Sequence, residues 1–129
     1  MNTSRPLSIA IVTGSISRLA GGLFNSVRRS ALALTEAGHS VTVLSLDDEY
    51  ASADITAWDP LIPLTVARRG PAALGYGPTL QTALNSGAFD VVHQHGIWQA
   101  MSWQVSTWQQ QTGGAVMISP RGMLDSWAV

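Results

Sequence analysis

The run Val91-Val92-His93-Gln94-His95-Gly96-Ile97-Trp98 is an apolar segment that ends in two imidazoles and a glycine. An imidazole can hydrogen-bond a ligand hydroxyl, meet a developing charge or bind a metal. His93 and His95 lie two apart, so they share one face if a strand continues to His95. A zinc site would need a distant third ligand such as Asp125, and the pair is therefore read without a metal. In this reading His93 packs within the sheet. His95, nearer the edge and followed by Gly96, faces the crevice that open parallel sheets form at their carboxyl edge.

A second segment, Ile118-Ser119-Pro120-Arg121-Gly122-Met123-Leu124, repeats the arrangement: an apolar run meets one cation and one glycine. Arg121 offers a fork of donors suited to phosphate or carboxylate, or to a surface salt bridge, and both readings stay open. Gly122 keeps the loop low beside it. A third segment, residues 14–22, carries Gly21-Gly22 just before a helical pattern. Glycine there lets backbone N–H groups approach an anion at a helix N-terminus, and an ordinary flexible turn is the competing reading. The spacing is not the G-x-G-x-x-G of dinucleotide folds. Arg18 is read as solvated and His39 as structural.

These groups need elements to hold them. Residues 7–13 form a short apolar run, the signature of a strand buried on both faces. From Leu23 the period changes: Leu23, Val27, Ala31 and Leu34 share a helical face, and Gly38 ends the helix. Val41, Val43, Leu44 and Leu46 make a second strand. Asp47, Asp48, Glu49, Asp54 and Asp59 then place five of the eight carboxylates in one stretch, read as a solvated connection. Residues 61–67 are a third strand, with Pro63 favouring an edge. Pro78 opens a helix to about Ser86, residues 91–95 are a fourth strand, 99–111 a helix and 115–119 a fifth strand. On that last helix Ile97, Met101, Val105 and Trp108 line the core face. Trp103 falls opposite, with Gln99, Ser106 and Gln110. Alternating strands and helices predict an α/β fold: a Rossmann-like parallel sheet with helices on both faces.

The 129 residues allow one domain, and 46 % hydrophobic against 12 % charged residues excludes a disordered chain. A net charge of −1 gives no electrostatic case for nucleic acid. All seven cations are arginines, which excludes Schiff-base and P-loop lysines; the absence of cysteine excludes disulfides and thiol nucleophiles. With no apolar signal region and no membrane-length segment, a cytoplasmic domain is expected.

Taken together the motifs resemble the N-terminal domain of family 4 glycosyltransferases, the retaining enzymes of GT-B architecture. The matching residues are Gly21-Gly22, Leu34-Thr35-Glu36-Ala37-Gly38-His39-Ser40-Val41, residues 89–98 and residues 119–128. Ser126 stands where the family usually has proline. The resemblance implies sugar transfer from a nucleotide-sugar donor to a glycan or lipid-linked acceptor hydroxyl, in cell-surface polysaccharide synthesis, with no cofactor and no essential metal. It places Gly21 and Gly22 near the donor diphosphate, and His95 toward the reacting sugar. Gly96, Trp98, Arg121 and Gly122 fall in the substrate-binding loops.

The family pattern continues into a second, donor-binding domain. Residues 1–129 are therefore expected to be an incomplete N-terminal, acceptor-side domain, inactive alone, whose fifth strand forms an exposed edge open to self-association. A lipid-linked acceptor would bring it to the inner face of the membrane. Two alternatives are carried: a non-catalytic module binding a nucleotide or phosphorylated sugar, and a dinucleotide oxidoreductase using Asp47 or Asp48 on a ribose. The missing glycine fingerprint speaks against the second.

Overall fold

The computed structural model describes residues 5–70, 77–96 and 99–119. Five parallel strands, β1 (Ser8–Thr13), β2 (Ser40–Leu46), β3 (Leu64–Val66), β4 (Val91–His95) and β5 (Ala115–Ser119), form one sheet in the order β3-β2-β1-β4-β5. This is a Rossmann-like α/β sheet. The order reverses between β1 and β4, the switch point at which such sheets open a crevice beyond the strand ends.

The helices divide by face. α1 (Gly22–Glu36) packs on the side of Ile9, Ile11 and Val43, where Val27, Ala31 and Trp58 complete a core. A short helix α2 (Ala51–Asp54) and a 3₁₀ turn (Ile55–Trp58) join β2 to β3 on that same side. α3 (Pro78–Ser86) and α4 (Gln99–Thr112) cover the opposite face, with Leu80, Leu84, Met101, Val105 and Trp108 against Ala10, Val12, Leu44 and Val92. Alternation along each strand produces both cores at once.

The helical stripe expected on α1 is the buried one, with Leu23 and Leu34 packed at its margins. The helix ends as expected at Gly38, whose φ of +99° suits glycine. The Gly38 N–H donates to the Thr35 carbonyl and the His39 N–H to the Leu34 carbonyl, closing the last turn. His39 is structural: its Nδ1 accepts from the Leu7 N–H at 3.0 Å, tying this turn to the entrance of β1. β3 is shorter than expected, three residues after Pro63, and it occupies an edge of the sheet. On α4, Trp103 is 71 % exposed while Met101, Val105 and Trp108 are buried. Among the described residues no helix is long and apolar enough to cross a membrane.

The acidic stretch departs from expectation. It is not a solvated connection: Trp58 within it is fully buried, stands edge-on to Phe24 and donates its indole N–H to the Ile16 carbonyl at 2.9 Å. A large aromatic side chain amid carboxylates draws the segment onto the sheet, because burying it outweighs the pull of solvent on its polar neighbours.

Candidate functional site

The sheet register sets the site. Thr13 pairs with His95, and His95 with Ser119, so the tips of β1, β4 and β5 lie side by side with these residues on the face that carries α1. The loop leaving β1 therefore begins beside His95. Gly96 turns away from β4 with a φ of +87°, and its N–H donates to the Ser119 carbonyl at 2.7 Å. Gln94, buried on the opposite face, donates from Nε2 to the Gly96 carbonyl (3.0 Å) and to Ser102 Oγ (2.8 Å), clamping the turn to α4.

His93 and His95 do share a face, with ring centroids 4.0 Å apart and planes tilted by 32°. Their burial is the reverse of the expected division. His95 has no exposed surface, whereas His93 is half-buried, shares a hydrogen bond between its Nε2 and Ser119 Oγ at 2.8 Å, and lines a groove of about 460 Å³ with Leu7, Ile9, Leu34, Val91 and Met117. The reason is positional: His95 sits beside Thr13 at the central strands, and His93 lies lower, where no described helix covers β4 and β5 on this face.

The loop of residues 14–21 has more structure than its composition suggests. Ser17 caps the 3₁₀ turn Arg18–Ala20. Asp48, just past β2, accepts from Ser15 Oγ (2.7 Å) and Ser17 Oγ (3.0 Å) on one carboxylate oxygen and from the Tyr50 N–H (2.9 Å) on the other. Arg18 is solvated as expected, its side chain 60 % exposed, and it is also paired. Its guanidinium lies against Asp54 at 2.9 and 3.1 Å and over the Tyr50 ring at 4.5 Å. The Arg18 side chain, and then its backbone N–H, hold the Asp54 carboxyl below its ordinary value.

Gly21 adopts φ +60°, ψ −129°, a conformation left to glycine, and α1 starts at Gly22 without a side-chain cap. Gly22 is different. Its backbone is ordinary helix, and a β-carbon there would meet no atom within 4 Å. Neither backbone nor packing requires a glycine at this position. Among the described residues, the N-terminus of α1 thus has no side-chain cap and turns the positive end of a 15-residue helix toward open space at Gly22.

Of the expected site residues, His95, Gly96, Gly21 and Gly22 are in place at the carboxyl edge, while Trp98, Arg121 and Gly122 lie outside the described residues. The placement of Arg121 relative to His95 therefore falls outside them too. Asp48, Asp54, Trp58, Gln94 and Ser119 are contributors that pattern reading did not assign. Trp58 was the available signal, since a tryptophan in an acidic stretch marks a segment that packs. The commitment of Asp48 to the loop leaves the oxidoreductase alternative with Asp47 alone as a ribose partner.

An open parallel sheet whose strand order reverses between β1 and β4 defines a Rossmann-like α/β domain. Residues 21–129 match the family model of the glycosyl transferase 4-like domain, and the chain belongs to that family. Among solved structures it is similar to the C-terminal domain of a hydrogenase from Pyrococcus furiosus, at 15 % identity and a TM-score of 0.57, covering 92 % of this chain and 96 % of that one. That likeness concerns the fold alone. No curated protein matches the sequence.

Proposed function

We propose that this protein is the acceptor-side domain of a retaining glycosyltransferase of GT-B architecture. It moves a sugar from a nucleotide-sugar donor to the hydroxyl of a glycan or lipid-linked acceptor, in the building of cell-surface polysaccharide at the cytoplasmic face of a membrane. One observation carries the site reading: Gly22, unexplained by the fold, opens the uncapped end of α1 toward free space. Bare N–H groups and a helix dipole there suit a diphosphate.

In this reading His95 hydrogen-bonds the reacting sugar or the charge that develops on it, its ring, buried in this structure, being uncovered as the substrate enters. Gly96 lets the substrate approach the β4 turn, Arg121 serves the acceptor, and Trp98 and Gly122 are further substrate-binding residues. A second domain supplies the remaining donor contacts, so residues 1–129 alone turn over no donor. The β5 edge, with Met117 and Ile118 exposed, pairs with further chain in the two-domain enzyme and drives self-association without it. Sedimentation of residues 1–129 as a sharp monomer at high concentration would count against that part.

The test of the whole reading uses the two-domain enzyme with His95→Ala and Arg121→Ala. Each is expected to lower turnover of nucleotide-sugar by about a hundredfold or more while the protein stays folded. Unchanged turnover in both would remove the assignment.

A further inference from the structure

Three side chains from one connection converge on one loop. Asp48 takes the hydroxyls of Ser15 and Ser17, Trp58 takes the carbonyl of Ile16, and Asp54 takes both the backbone N–H (2.8 Å) and the guanidinium of Arg18. Residues 15–18 are thus each gripped from the β2–β3 side, immediately before Gly21 and the first turn of α1. We propose that Asp48 is a positioning residue for the anion-facing end of α1, with Asp54 and Trp58 as its supports. This rests on the reading of that helix end as the donor-diphosphate site.

The chemistry singles out Asp48. A carboxylate only accepts, so both serine protons point toward it. The hydroxyl oxygens then turn their lone pairs to the backbone: Ser15 Oγ accepts from the Ser17 N–H at 3.1 Å, and Ser17 Oγ from the Leu19 N–H at 3.2 Å. The second of these bonds starts the 3₁₀ turn that delivers Gly21 into its glycine-only conformation. A charge at the tip of β2 therefore decides where the N–H groups of α1 begin. Preorganised donors cost no reordering when the ligand arrives.

The test compares the two-domain enzyme with its Asp48→Ala, Asp48→Asn and Ser15→Ala variants by amide hydrogen exchange and by calorimetric titration with uridine diphosphate. Asp48→Ala is expected to speed exchange across residues 14–23 at least tenfold with the strands unchanged, and to weaken binding about tenfold, the loss of one charge-assisted contact. Asp48→Asn, which keeps an acceptor oxygen, should recover part of both effects; Ser15→Ala should show a smaller change of the same kind. Unchanged exchange in the loop overturns the positioning role. Faster exchange with unchanged affinity also overturns it, leaving Asp48 a purely structural tether. A wild-type two-domain enzyme that binds no uridine diphosphate sinks the donor reading and with it the positioning role, whereas binding that the variants leave unchanged sinks the positioning role alone. If Asp48→Ala does not fold, the asparagine and serine variants carry the same two readouts.

Discussion

The two halves of the sheet are built differently. Strands β1 and β2 are enclosed on both faces: α1 and Trp58 lie on one side, and Leu44 and Leu46 contribute to the α3–α4 core on the other. Strands β4 and β5 are enclosed by α4 on one face only. On the other, among the described residues, Val91, His93 and Met117 line an apolar groove beside α1. The contrast separates two ways of holding a site. On the enclosed side, side chains from a second connection grip the β1–α1 loop. On the open side, the β4 turn is set by register with β5 and by the single buried Gln94.

Substitutions can break that contrast. Trp58→Ala should cost the most, about 3–5 kcal/mol, because it empties a fully buried site and orphans the Ile16 carbonyl. Urea unfolding would show it, and a loss under about 1 kcal/mol would mean that the acidic stretch does not clamp the enclosed half. Two methionines sharpen the comparison. Met101→Ala, in the α4 core, should lose about 2–5 kcal/mol. Met117→Ala, 57 % exposed beside the groove, should stay within about 0.5 kcal/mol. Equal losses would show that the open face is covered in solution.

Gly22→Ala has the opposite sign and should raise stability by about 0.4–1 kcal/mol, since the backbone is helical and no described residue fills the space. The same change should weaken nucleotide binding if that space serves a ligand. A stabilised variant with undiminished affinity would leave the glycine unexplained.

The weakest effect concerns acid. Asp90 is held below its ordinary value of 3.8, first by the Arg5 side chain and then by the Ser8 N–H. Asp54 is lowered in the same way by Arg18. For carboxyls with depressed folded-state values, the stabilisation is complete above the ordinary value and is lost as pH falls through the lower one. Thermal midpoints of wild type and Asp90→Asn should therefore differ by a constant amount above about pH 5 and converge toward pH 2. A gap that widened on acidification would contradict the sign.

Much of the layout was legible because it depends on short-range pattern. Residues 115–119 are an apolar run that stops before a proline, and they form a strand of the same bounds. The α1 stripe and the core face of α4 follow from helical period, and Gly38 from the backbone needed to leave a helix. The site was only half legible. His95 and Gly96 stand at a strand tip as expected, yet His95 is covered and His93 is the half-open ring. Which of two residues on one face is buried depends on what the neighbouring strand and helix place over each, and that does not appear in their own spacing. Arg18 reads in sequence as any exposed arginine; Asp54, 36 positions away, makes it a strut.

By itself the sequence determined the element order, the parallel α/β class and the two glycines that open α1, because hydrophobic period and backbone freedom are local properties. It took tertiary contacts to settle that an acidic stretch grips the β1–α1 loop, that Asp48 serves serines rather than a ribose, and that among the described residues nothing covers one face of β4 and β5. Those outcomes are contacts between segments distant along the chain. Their free energy exists only once burial has removed the competing water.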